Sequence, residues 1–291
     1  MTAIIPDIHA DPDRLDRSLK AAGPRPIAFL GDLIDAHGQQ QHQDDLAVLQ
    51  KARALIDSGR AIGILGNHEM NAIRYHRFRP DGRPLRDHSP ENQAQHQSFL
   101  DRFGLATPAA LAWTDWFLTA LPLWQDLGGL RLAHAFWSDA LIDTVRARRP
   151  DGYLKPEDIP EIAAKKTPFA QAVDQILTGP EMALPDGFGF VDRKGKERRH
   201  LRMRWWRRPV DWADAALSAP AGLSLPAGLP EGIDGLLYPP DAPPVLVGHY
   251  KMTGLPGFDA RRGGSIDYPE AACIYLWDGE TALDPAKLHR V

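Results

Sequence analysis

Ile27-Ala28-Phe29-Leu30-Gly31-Asp32-Leu33-Ile34-Asp35 sets four apolar residues, enough for a short strand, directly before a glycine and two carboxylates. The same arrangement occurs on either side of it. Thr2 to Ile5 runs into Pro6-Asp7-Ile8-His9, and Ala61 to Leu65 runs into Gly66-Asn67-His68-Glu69. Short apolar runs closed by polar or glycine punctuation read as buried strands. Between the second and third, Leu46, Leu49, Ala52, Leu55 and Ile56 recur at helical spacing from Asp44 to Ser58, and Gly59 follows as a C-terminal cap. Strand, helix and strand with short connections predict a parallel sheet flanked by helices.

Further along, Ser89-Pro90-Glu91 opens a helix that Gly104 closes. Thr107-Pro108 opens another, which runs to about Ala120 and sets Trp113, Trp116 and Phe117 on one core-facing stripe. Leu123 to Ala133 reads as a hairpin around Gly128-Gly129 and ends in His134. Val245-Leu246-Val247 is a strand that ends in Gly248-His249-Tyr250, and a late strand over 271–277 puts Cys273 in the core. Residues 138–240 are the least regular part. They hold a helical piece, Pro168 to Leu177, and a basic run over 193–208 with nine Lys/Arg and one acid, Glu197. The expectation is one domain over 1–291, with 138–240 as a variable, substrate-shaping insertion.

The bulk composition narrows the class. With 291 residues, 43% hydrophobic and 25% charged, the chain is neither a disordered, a collagenous nor a coiled-coil protein. A net charge of −4 gives no overall cationic character for nucleic acid or an anionic membrane. A single cysteine excludes an intrachain disulfide. No run approaches the roughly 18 apolar residues of a membrane span. The first residues, Met1-Thr2-Ala3-Ile4, lack the basic start of a secretion signal, so a cytoplasmic protein with no membrane partner is expected.

Side chains at the carboxyl ends of neighbouring parallel strands converge on one rim. Here those ends deliver Asp7, His9, Asp32, Asn67, His68, His134 and His249. Carboxylate, amide and imidazole donors together suit divalent ions such as Mn, Fe or Zn, and the lack of cysteine ligands argues against a structural zinc. Asp7 and His9 are two apart, which puts both on one face of a strand end. One ion cannot use so many groups, whereas two ions sharing a carboxylate can.

Asp7-x-His9, Gly31-Asp32-x-x-Asp35 and Gly66-Asn67-His68-Glu69, followed by two later strand-end histidines, resemble the calcineurin-like metallophosphoesterase superfamily. The branch most similar is the phosphoprotein phosphatase type, including its bacterial serine/threonine phosphatase-like members. The resemblance is tight over 1–75, thinner at His134 and His249, and weak over 138–240. It implies an α/β fold, a four-layer α/β/β/α sandwich of two mixed sheets with a dinuclear centre at the sheet ends. It implies that Asp7, His9 and Asp32 hold one ion, and that Asp32, Asn67, His134 and His249 hold the second. His68 would be the general acid oriented by Asp35, with Glu69 behind the site. The activity implied is hydrolysis of phosphate monoesters by a hydroxide bridging two divalent ions, with Mn the first choice in vitro. The substrate would be a phosphorylated protein or a small-molecule phosphoester.

The chain departs from that pattern in three places. Ala36 and Ala10 stand where Arg and Gly are expected, and Lys251 stands where phosphodiesterases of the superfamily carry a second histidine. Losing the Arg removes a bidentate phosphate contact; His37 could stand in for it. Lys251 favours the monoesterase ligand set. In the basic run, a solvated hairpin explains most of the charge. Arg204 and Arg202, with Asn67, are the candidates for holding substrate phosphate, and Trp205 or Trp206 could stack on nucleic-acid bases. His42, His76, His88, His96, His200 and His289 read as solvated or packing residues. Two other functions stay open: hydrolysis of nucleotides, dinucleoside polyphosphates or nucleic-acid diesters, and a non-catalytic interaction module.

Overall fold

Alternation along the strands divides each of them between two apolar cores. Ile4 and Ala28 point one way, into a cluster shared with Leu132, Leu246, Cys273 and Tyr275. Ala3, Ile5, Ile27 and Phe29 point the other way, as do Ala133, Val245 and Val247, into the helices. A strand buried on both faces has to be apolar throughout. That is why these runs read as continuous apolar stretches.

The computed structural model describes residues 1–36, 42–192, 195–217, 219–220 and 222–291. His37 lies outside the described residues. The strands are β1 Thr2–Ile5, β2 Ile27–Phe29, β3 Ala61–Gly63, β4 Trp124–Asp126, β5 Arg131–Ala133, β6 Glu181–Ala183 and β7 Phe190–Val191. They continue as β8 Glu197–Arg198, β9 His200–Arg202, β10 Val245–Val247, β11 Gly263–Ser265, β12 Cys273–Trp277 and β13 Leu288–Arg290. One sheet has the order β13-β12-β1-β2-β3; β1, β2 and β3 are parallel, with Ile4 opposite Ala28, and β12 is antiparallel to both its neighbours. The other has the order β11-β10-β5-β4, with β10 parallel to β11 and β5, and β4 antiparallel to β5. Two mixed sheets packed face to face, with helices outside, form the expected four-layer sandwich.

The helices are α1 Pro12–Ala22, α2 Asp45–Asp57, α3 Asn67–Tyr75, α4 Pro90–Gln95, α5 Gln97–Phe103, α6 Pro108–Ala120, α7 Asp139–Arg146, α8 Ile159–Ala164, α9 Pro168–Thr178 and α10 Trp212–Ala215. Asp11, Asp44, Thr107, Ser138 and Thr167 cap α1, α2, α6, α7 and α9, each side chain accepting a backbone N–H of the first turn. The single helix expected between Ser89 and Gly104 is two, broken at His96 (φ −110°). The His96 ring at this break is engaged at the site.

Residues 138–240 divide in two. As far as Thr178 they form helices: Ile142, Val145, Val173 and Ile176 join the outer core, and α7 packs on α9. Beyond that come two ribbons, β6 with β9 and β7 with β8. The basic run is therefore partly a hairpin, as expected. Leu201, Met203 and Trp205 face inward between exposed or half-buried arginines. Trp205 and Trp206 do not offer a stacking surface, because both are buried. Trp205 Nε1 donates to the Ala135 carbonyl at 3.0 Å, and Trp206 Nε1 to Asp259 at 2.8 Å.

Candidate metal centre and active site

Each motif residue sits at or just beyond a strand end, where the backbone must turn sharply to aim its side chain along the rim. That turn uses left-handed conformations: φ is 51° at His9, 50° at Asp32, 65° at Asp35 and 61° at His249. Such residues cost about 1–3 kcal/mol each and cluster at functional sites. Ala10, at φ 56°, occupies a position that glycine would take without strain, which accounts for the glycine expected there. Close approach explains a second glycine. A Cβ on Gly31 would lie 2.6 Å from Gly66 Cα, so the Asp32 and Asn67 motifs touch backbone to backbone.

The structure brings all six expected ligand residues together. Ligand atoms of Asp32, His134 and His249 lie within 4.8 Å of one another, as do those of His9, Asp32 and His68, so Asp32 belongs to both groups. Asp7 Oδ2 is 3.8 Å from His9 Nε2, and the Asp7 carboxylate accepts the His249 backbone N–H at 3.0 Å. Asn67 Oδ1 lies 3.0 Å from His134 Nε2 and 2.6 Å from His249 Nδ1. His68 is the addition to the expected ligand geometry.

The donor chemistry fits divalent cations. His134 Nδ1 donates to the Leu30 carbonyl at 2.7 Å, which leaves a lone pair on Nε2 in the neutral ring. That lone pair points at Asn67 Oδ1 and, at 3.4 Å, at Asp32 Oδ2. Acceptors converging this closely repel unless a proton or a cation sits among them. Protonation is one answer: burial opposes charge on His134, but Asp32 outweighs it and raises the pKa to about 10. His249 Nε2 is also buried with no hydrogen-bond partner.

Carboxylate crowding points the same way. Burial, then Asp267 and Asp32, push the Asp7 pKa well up, and burial and Asp32 raise Glu69 to about 7. Asp267, which sequence reading missed, is fully buried, 3.6 Å from Arg14. So many acids in one dry pocket are costly without positive charge. Glu69 acts from behind, accepting the backbone N–H groups of Asp32 at 2.9 Å and Leu33 at 2.7 Å.

His68 has a second anchor. Its Nδ1 meets Asp35 Oδ2 at 2.7 Å, and its backbone N–H donates to Asp32 Oδ1 at 2.9 Å. Burial would lower its pKa, but Asp32 and the bond to Asp35 outweigh burial and raise it to about 9. The imidazolium form needed by a proton donor is thereby favoured.

Asp35 is in turn held by residues read above as solvated or packing. His96 Nδ1 lies 2.6 Å from Asp35 Oδ1, and His96 Nε2 lies 2.9 Å from His76 Nε2. The Ala106 N–H donates to His76 Nδ1 at 2.9 Å, which puts the His76 proton on Nε2. The direction of every bond then follows: His76 donates to His96, and His96 donates to Asp35. Asp45 accepts the Asp35 backbone N–H at 2.9 Å. No spacing in the sequence marks this chain of rings, since the pattern there predicts one unbroken helix through His96. His96→Phe is expected to lower kcat about 10- to 100-fold, the usual effect of losing a residue that orients a site group. Metal content should stay at the wild-type level, and loss of metal instead would disprove this role.

The expected phosphate-binding arginines separate. Arg204 Nε pairs with Asp259 at 3.3 Å. Arg202 bears on the site: after burial, its charge is the strongest influence keeping the His249 pKa low, and so the ring neutral. Ala36 donates its N–H to Ser98 Oγ at 2.9 Å. The charge of Lys251 acts on both His9 and Asp267.

No helix among the described residues is long and apolar enough to cross a membrane. No curated protein matches the sequence. Solved structures do. A mutant of a cold-active protein tyrosine phosphatase aligns at a TM-score of 0.52 and 14% identity, over 94% of this chain and 74% of that one. The cold-active protein-tyrosine phosphatase of a psychrophilic Shewanella species aligns at a TM-score of 0.50 and 13% identity, over 97% and 80%. A protein provisionally assigned as a diadenosine tetraphosphatase aligns at 0.44 and 14% identity, over 94% and 86%. At these identities the two tyrosine phosphatase alignments show a likeness of fold. The sequence matches the calcineurin-like phosphoesterase family over residues 2–179, more than half its length. With the strand-end ligand cluster in place, the chain belongs to the calcineurin-like phosphoesterase family, phosphoester hydrolases that work with a pair of divalent metal ions.

Proposed function

We propose that this protein hydrolyses phosphate monoesters in the manner of a protein phosphatase. The observation that carries the reading is one carboxylate, Asp32, common to two ligand groups, with the His68–Asp35 pair beside it. Asp7, His9 and Asp32 would hold one ion, and Asp32, Asn67, His134 and His249 the other, with Mn the first choice. Two such ions, when bound, supply Lewis acidity toward a phosphate oxygen and lower the pKa of water.

The chain's own groups do the rest. Asn67 and Arg202, with Arg204 two residues further along the same segment, orient the phosphate. Arg202 is the stronger candidate, because Arg204 and Arg207 both pair with Asp259. Lys251 offers positive charge where no Arg follows Asp35. His68 gives its proton to the departing alkoxide, and Asp35 keeps that proton donor oriented. Residues 138–240, at the edge of the site, would set substrate choice.

The test is turnover by Mn-supplied protein of p-nitrophenyl phosphate, phosphoserine and phosphotyrosine peptides, and diadenosine tetraphosphate. Metal-dependent hydrolysis of the aryl phosphate and a phosphopeptide is expected. Cleavage of the dinucleotide alone would replace this reading with the nucleotide hydrolase. Inertness toward all four with Mn, Ni or Zn would leave the interaction module.

A further inference from the structure

A cavity of about 180 Å³ opens beside the metal centre, with Asn67 on its wall. Asn71, Arg74, Arg86 and Lys165 line it, over an apolar floor that includes Met70 and Val173. Asn67, Asn71 and Arg74 lie on α3 at i, i+4 and i+7, so one helix face runs from the ligand cluster into the cavity. Arg86 is brought alongside by its backbone N–H, which donates to the Arg74 carbonyl at 3.1 Å.

The charges in this cavity are not balanced. Lys165 pairs with Asp174, the one acid on the wall, at 2.7 Å. Arg74 donates to Asn71 Oδ1 at 2.7 Å, and Arg86 to Asn92 and Gln95 at 2.8 and 2.9 Å, all neutral acceptors. Among the described residues, neither arginine makes an ion pair with a carboxylate. Arg74 Nε is buried with no hydrogen-bond partner. Burial and the neighbouring Arg86 lower the Arg74 pKa to about 10, outweighing the charge of Asp174, while Asp35 and Glu91 act on Arg86 from outside the cavity lining. Two adjacent guanidinium groups on an apolar floor repel one another, and an anion between them reverses the sign of that interaction.

We propose that this cavity is a second anion subsite of the active centre, taking a phosphoryl group that the substrate carries in addition to the one being cleaved. It deepens the phosphoesterase reading and rests on it. The preferred substrate is then a molecule with more than one phosphoryl group, its scissile phosphate at the strand ends and its second on Arg74 and Arg86.

Calorimetry on the 291-residue chain without added metal compares inorganic tripolyphosphate with inorganic phosphate. Wild-type protein is expected to bind tripolyphosphate at least tenfold more tightly. Arg74→Gln and Arg86→Gln should each reduce that affinity about tenfold. This loss should exceed any change in KM for p-nitrophenyl phosphate, measured with Mn, by at least fivefold. Lys165→Glu, on an exposed residue, weakens tripolyphosphate binding without touching the core, which covers the case of an arginine variant that fails to fold. Unchanged tripolyphosphate binding in the variants, or equal losses on both probes, overturns the subsite. Arginine-dependent tripolyphosphate binding in a protein inert to every phosphoester retains the subsite and removes the phosphoesterase reading. Turnover with tripolyphosphate binding indifferent to the arginines does the reverse.

Discussion

Replacing Asp32 by asparagine is expected to empty both ion positions together. Asn preserves the shape of the side chain and the oxygen that accepts the His68 backbone N–H, so the fold has no steric reason to fail. What disappears is the charge. Burial disfavours that charge, yet His134 and His68 hold the Asp32 pKa well below the ordinary range, so the carboxylate is ionised at neutral pH. It is also the atom group common to both ligand triads. Metal content should fall at both positions, and kcat/KM should drop by at least about 10²–10³-fold, the scale of losing one preorganised electrostatic group. A variant that still binds one equivalent at wild-type affinity would show that the two ions do not share this residue.

His68→Asn is expected to separate chemistry from metal binding. If His68 is a proton donor, the variant keeps its ions and loses about 10²–10⁴ in kcat. The loss should be larger for alkyl phosphates, whose alkoxides need a proton, than for p-nitrophenyl phosphate, whose phenolate leaves without one. If His68 is instead a ligand, as its place in a triad with His9 and Asp32 allows, metal content falls with activity and both substrates suffer alike. The pH dependence follows from the same group. Its pKa is raised to about 9, so the donor form is present at neutral pH and disappears as pH rises through that value. The wild-type rate on alkyl phosphates should therefore fall on the alkaline side, and His68→Asn should lack that limb.

The convergence of the candidate ligands was legible in part because each follows a short apolar run, and strand ends in one parallel sheet can converge only at one rim. Asp7, Asp32 and Asn67 follow β1, β2 and β3, so predicting those strands placed these three together; His134 and His249 follow β5 and β10 of the other sheet, and only the resemblance to a two-sheet sandwich implied that its ends meet the first. The residues behind the cluster obey no such rule. His96 reaches Asp35 across 61 positions from a helix break, and His76 reaches His96 from the far end of α3. Those contacts depend on how α3, α4 and α5 pack, which periodicity does not encode. Asp267 was missed because β11, Gly263–Ser265, has no large apolar residue to mark it as a strand. Trp205 is buried by the alternation of the basic run, in which Leu201, Met203 and Trp205 face inward and Arg202 and Arg204 outward, a period of two that the charge count alone does not reveal.

Asp7, His9, Asp32 and Asn67 follow strands of one sheet, while His134 and His249 follow strands of the other. Ions held at this seam would tie the two halves of the sandwich to each other, a clasp across the joint that the apolar interior alone must otherwise hold shut. Ligand that binds only the folded chain adds about 2.7 kcal/mol of resistance to unfolding at a hundred times its dissociation constant. Chelators would then act on this protein as mild denaturants, and its lifetime in a cell would follow the local supply of divalent cations.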